Sequence, residues 1–398
     1  MRISYSYILI LGTAFSLLAC NGFLGEETPT DFLDVPIANS REVAYVPIQP
    51  VVSGFSRPVD IIAGWDGLLY IADAGTEEII ALDQAGNELG RFSVPGLVAI
   101  TQDRRLDIIA LGRMDTTINN SPLNLATIYR LDLNKTGDYG LNNARITNKV
   151  VHPFYVKSGT PNQRDVEVSF TGITILGNNQ YYVARNGNAN SSNQFGGPDD
   201  AILRFQEDDG FISPISVKNT LGITNSFFRK PQGISSKAVP PQTLSVNSTG
   251  DFLFTSIDPN NLLKVQLIQR IETDGGAEFV VQNLISGDTS RADGFLYEPG
   301  RFTQPVDVAI AGDGTGYLFV VDSETDSLYQ FNGLGLEGVN PPPGSRSSRN
   351  VLVSFGGTGD GLSQFREPGG VAYLDRIVYV ADTGNGRVLR FKLTTDFD

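Results

Sequence analysis

Apolar residues in this chain come in runs of about four to six, separated by glycine, proline, asparagine and aspartate; this marks short strands joined by tight turns. No amphipathic helix stands out. Three stretches repeat one pattern. Pro58-Val-Asp-Ile-Ile, Leu69-Tyr-Ile-Ala-Asp73 and Ile79-Ile-Ala-Leu82 return as Pro305-Val-Asp-Val-Ala, Leu318-Phe-Val-Val-Asp322 and Leu328-Tyr-Gln-Phe331. They return again as Pro368-Gly-Gly-Val-Ala, Val378-Tyr-Val-Ala-Asp382 and Val388-Leu-Arg-Phe391. Proline and aspartate stand 14–17 residues apart each time, and the unit reads strand, tight turn, strand, polar loop, strand.

A repeat of this kind dictates architecture, because one such sheet cannot bury both its faces alone. The pattern predicts an all-β, six-bladed β-propeller. Gly96–Ile100, Leu106–Leu111 and Thr127–Leu131 supply a second blade, and Gly172–Leu176, Gln180–Ala184 and Ala201–Phe205 a third. The fourth is expected from Thr243–Val246, Asp251–Thr255, Leu262–Leu267 and Glu278–Val281. The last unit stops after three strands, so Ala44–Val52 is expected to close the ring from the front as its outer strand, where Pro47 and Pro50 are tolerated. The predicted organisation is a leader over 1–19, a polar tether over 20–43 and the propeller over 44–398.

Phe355-Gly-Gly-Thr-Gly-Asp-Gly-Leu-Ser-Gln-Phe365-Arg-Glu-Pro-Gly-Gly-Val371 followed by Tyr379-Val-Ala-Asp382 resembles the NHL repeat in nearly full form. Phe302-Thr-Gln-Pro305 and Phe55-Ser-Arg-Pro58 are shorter versions. The resemblance implies a binding platform for protein, RNA or glycan. It also admits enzymes of related six-bladed folds, namely lyases, lactonases and strictosidine-synthase-like proteins, so the fold leaves the function open.

Met1-Arg2 precedes an apolar run ending in Leu17-Leu-Ala-Cys20, too short to span a bilayer and similar to the lipobox of bacterial lipoproteins. Cys20, the single cysteine, is then the lipidated residue. The mature protein would be anchored to a membrane by acyl chains, and Asn21 favours the outer membrane of the cell envelope. The net charge of −14 argues against nucleic acid as a partner. A monomer is expected.

His152 is the only histidine, which excludes a histidine pair or a His-rich zinc site, and no phosphate loop or nucleophile elbow occurs. The aspartates ending the second strands, Asp73, Asp322 and Asp382, read as turn caps. Asp60 and Asp307 differ, since they stand on first strands, which line the axis. They are the candidate metal ligands for a channel Ca2+ or Mg2+, as in the lactonases that the resemblance brings in; the primary expectation is no cofactor.

Extra length falls at Arg113–Leu125, Val151–Ser169, Asn186–Asp200, Asn219–Pro241 and Gln282–Gln304, all predicted on one face, with Asn332–Arg349 on the other. Arg57, Arg113, Arg185, Arg229, Arg301 and Arg366 fall in connections of that first face and would make a basic collar for a carboxylate-bearing peptide, protein or acidic glycan. The loop aromatics Phe154, Tyr155, Phe195, Phe227, Phe228 and Tyr297 are candidates to stack on it. The function expected is a non-catalytic, lipid-anchored binding platform; the alternative is a metal-dependent hydrolase, lactonase or strictosidine-synthase-like enzyme acting at the channel.

Overall fold

A computed structural model of the chain describes residues 43–397 except 119, 135–136, 155–160, 162, 192–196, 220–221, 241–249, 283, 285–288 and 343–346. Its strands form six sheets. The six inner strands, Pro58–Ala63, Ala99–Gln102, Ser169–Ile175, Pro231–Ser236, Pro305–Ile310 and Gly370–Leu374, neighbour one another in a closed ring. The fold is a six-bladed β-propeller. Second strands such as Leu69–Asp73, Phe252–Ser256 and Leu318–Asp322 are buried at every position because a blade lies against each face, so their sequences are apolar runs with polar residues only at the end, instead of alternating. The core is accordingly six apolar wedges, one between each pair of neighbouring blades.

The proline and aspartate of the repeat belong to one device. Asp73 accepts hydrogen bonds from Ser56 N and Arg57 N, both 2.7 Å, just ahead of Pro58, and from Gly75 N in its own turn. Asp322 takes Thr303 N and Gln304 N ahead of Pro305, and Asp382 takes Arg366 N. Each aspartate therefore pins the chain that leads into its blade's inner strand to the turn that leaves the second strand.

Inner strands run level and in one direction. A Cβ on Gly370 would lie 2.8 Å from the Cα of Asp60, and one on Gly233 would lie 2.6 Å from that of Asp307, so glycine is needed where equivalent positions of adjacent blades meet.

Closure is made from the front of the chain. Tyr45–Pro47 pairs with Phe391–Leu393, Val52–Ser53 pairs with Arg387–Val388, and Arg390 donates to Pro50 O and to Gln84 O of the first blade. Arg130 makes a similar clasp from blade two to blade three, at 2.8 Å from both Asp103 and Asp209.

Blade four departs from the sequence expectation. Its inner strand is Pro231–Ser236, whereas Thr243–Val246 lies outside the described residues. Pro-Gln-Gly-Ile-Ser-Ser is too polar to read as a strand, yet its hydroxyls are used: Ser236 Oγ donates to Ile175 O of blade three. The sheet also gains two outer strands, Val217–Asn219, parallel to Gly276–Gln282, and Gly222–Thr224. Arg113–Leu125 is no loose loop but the far end of a hairpin formed by Ile108–Ile118 and Ser121–Asp132.

Candidate functional site

All six inner strands contribute to an axial cavity of about 310 Å3, bordered at one end by Arg57 and Ala74 and at the other by Trp65 and Gln102. Asp60 and Asp307 both line it. Each carboxylate also reaches into the next blade: Asp60 Oδ2 accepts from Ile100 N at 2.8 Å, and Asp307 Oδ2 from Val371 N at 2.9 Å. Asp60 Oδ1 accepts from Ile61 N. Burial pushes the Asp60 carboxyl up to about 6, against the pull of its two amides. Burial, with the charge of Asp60 added, pushes Asp307 well above the usual carboxylate range.

These two residues fit a divalent ion poorly. Calcium and magnesium ask for six or more oxygens, and here three backbone amide protons already point at the carboxylates. Among the described residues no group of three or more His, Cys, Asp or Glu is arranged to hold a metal.

The six arginines divide into two sets. Arg185 is fully buried and donates to Asp199 O and Pro198 O. Arg113 donates to Asn124 O, Val166 O and Val168 O, bracing the hairpin against the connection into blade three. Arg301 pairs with the buried Glu337 and lies over the Tyr329 ring. Those three hold loops in place. Arg57 and Arg366 are exposed, and their guanidiniums make no hydrogen bond or ion pair among the described residues. Arg229, its side chain 65 % exposed, makes only a long ion pair with Asp258, at 3.9 Å. All three precede inner strands, so they belong to one end of the ring.

The described loop aromatics pack inward. Phe154 sits 4.9 Å from Phe211, Phe228 sits 5.0 Å from Phe254, and Tyr297 donates to Gln282 O. Tyr155, Phe195 and Cys20 lie outside the described residues. His152 is buried between Phe154 and Phe170, 3.5 Å from Asp165. Burial, with Arg185 and Arg113 beside it, lowers its pKa to about 3 and keeps it neutral. The two long insertions of blade five meet, although they leave the sheet at opposite ends: Phe295 bridges Leu336, Glu337 N donates to Gly294 O, and Asn350 N donates to Arg291 O. Sequence reasoning missed Trp65 and Gln102 at the far end of the cavity.

Residues 365–391 match the model of the NHL repeat. The search of curated proteins found no match. Among solved structures, the chain is similar to a gluconolactonase from Xanthomonas campestris, at 8% identity over 88% of this chain and 89% of that one, with a TM-score of 0.49. It is also similar to the PQQ-bound form of aldose sugar dehydrogenase from Streptomyces coelicolor, at 13% identity over 89% and 99%, with a TM-score of 0.47. Virginiamycin B lyase from Staphylococcus aureus gives 12% identity over 88% and 99%, with a TM-score of 0.42. At such identities none of their activities transfers to this chain.

Proposed function

We propose that this ring of six blades, with its NHL repeat at 365–391, is a non-catalytic binding platform whose arginine-bearing end takes a carboxylate-rich peptide or an acidic glycan. One observation carries the reading: Arg57, Arg229 and Arg366 keep exposed guanidiniums ahead of inner strands, in a chain of net charge −14 whose other collar arginines are engaged with the protein. A guanidinium with no internal bond, as at Arg57 and Arg366, or with only a long ion pair, as at Arg229, is available for bidentate pairing with a carboxylate. The backbone amides of Arg57 and Arg366 are fixed by Asp73 and Asp382, so ordering those segments on binding costs little.

An oligogalacturonate and a poly-glutamate peptide serve as probes. At least one of them binds the wild type with marked salt dependence, and replacing Arg57, Arg229 and Arg366 together by Gln weakens that binding about tenfold or more, with an unchanged melting temperature. Equal binding by the triple variant overturns the reading.

The platform is held to the outer membrane through lipid on Cys20. Among the described residues no helix is long and apolar enough to cross a membrane. Cys20→Ala releases the protein into the soluble fraction; palmitate labelling that survives the substitution overturns this part.

A further inference from the structure

Two carboxylates line the axial cavity from blades that are not neighbours. Asp60 stands on blade one and Asp307 on blade five; blade six, between them, presents Gly370 at the same level, so its inner strand puts no side chain between the two acids. The charge of Asp60 is felt at Asp307 and helps to push that carboxyl upward. A cation in the cavity offsets that repulsion. Thr101 of blade two lines the same cavity, is 7% exposed, and its hydroxyl makes no hydrogen bond among the described residues. It follows Ile100, whose backbone N donates to Asp60 Oδ2.

An ammonium group suits this place better than a metal ion does. Its three N–H donors need three acceptors rather than six or more oxygens, and Asp60, after accepting from Ile61 N and Ile100 N, keeps about two of its four lone-pair sites. Asp60, Asp307 and Thr101 supply the three acceptors.

The mouth of the cavity decides what carries the ammonium. Arg57 lines the cavity and is exposed, so the cavity meets solvent at the arginine-bearing end. From Arg57 to Asp60 the chain advances three residues, on the order of 10 Å in extended backbone. An extended peptide advances by a similar step, so an amino terminus placed at the two acids brings its third residue level with Arg57. A carboxylate on that residue meets a guanidinium that makes no bond among the described residues. An acidic glycan serves the arginine equally well but brings no cation to the acids.

We propose that the axial cavity captures the amino terminus of an acidic peptide, its ammonium held by Asp60, Asp307 and Thr101 and the carboxylate of its third residue by Arg57. The inference rests on the platform reading above and selects peptide over glycan at that end.

The probes are Gly-Gly-Glu-Glu-Glu-Glu with a free amino terminus and the same peptide acetylated, both amidated at the other end and titrated by calorimetry into the soluble protein beginning at Asn21. The free peptide binds about tenfold more tightly or better. Acetylation makes the peptide more negative, so attraction to arginines alone gives the opposite order. Replacing Asp60 and Asp307 together by Asn, close in shape and unable to ionise, brings the two affinities together at a melting temperature that shows a folded protein. Asp307→Asn alone narrows the gap and guards against loss of fold in the double variant. Equal affinity of the two peptides for wild type, or a preference that survives these substitutions, overturns the capture of the amino terminus; the platform still stands if replacing Arg57, Arg229 and Arg366 by Gln weakens both peptides. Binding of oligogalacturonate but of neither peptide also overturns the capture and leaves the platform.

Discussion

Asp60 and Asp307 show how one side chain serves two ends. Each joins neighbouring blades through a backbone amide, and each stands in a cavity that disfavours its charge. The unfolded carboxyl titrates near 3.9 and the folded Asp60 near 6, so between about pH 4 and pH 6 the folded protein holds more protons. Its contribution to stability therefore falls as pH rises through that window and stays lost above it. Asp60→Asn cannot ionise, and its melting temperature relative to wild type should climb between pH 4 and pH 7, by an amount equivalent to about 1–3 kcal/mol. A difference that does not vary with pH would show that Asp60 is not the group responsible. At Arg130 the expectation is opposite in sign. Removing this 8%-exposed cation leaves Asp103 and Asp209 buried without their partner, so Arg130→Gln should cost about 3–5 kcal/mol in denaturant unfolding. The acids on the axis were legible because they recur two residues after a repeat proline. Arg130 was not, because its carboxylate partners sit in turns of two different blades.

At the scale of the strand, legibility followed burial. Second strands, covered on both faces, are apolar throughout and could be placed to within a residue or two; Pro231–Ser236, whose polar residues bond to blade three, could not. The same contrast explains the hairpin of blade two, where Asp115, Thr116 and Thr117 read as loop although their backbone continues the ladder to Ile118. The closing strand was legible from arithmetic, since a three-stranded last unit needs a fourth. Deleting residues 44–52 removes its ladder to Phe391–Leu393 and the Arg390 contact with Pro50, and bares the edge of the sixth sheet. The expected result is a lower melting temperature with aggregates in size-exclusion chromatography; a monomer with unchanged melting would mean the ring is closed by other contacts.

For the molecule as a whole, the two ends of the propeller lie together, since Ala44 N donates to Thr394 Oγ1 and Thr394 N to Ala44 O. Joining Phe397 to Val43 by a short linker and opening the chain between Asp274 and Gly275, in the exposed turn of blade four, should give a folded circular permutant with a melting temperature near that of the parent. Failure to fold would show that the original order of the strands is itself required. Trp65 marks the limit of sequence reasoning at this scale: Gly64-Trp-Asp-Gly67 reads as a turn, and only closure of six blades puts Trp65 at the border of the axial cavity.

That closure also sets a timetable. Tyr45–Pro47 is made before every blade and its partner, Arg387–Leu393, after five of them, so the first strand of the propeller waits for all the intervening blades before it can pair. Contacts of such sequence separation form slowly, and an unpaired edge in the interim is open to wrong partners. Whatever else the blades have done by then, the ring cannot lock until both strands of this pair are present.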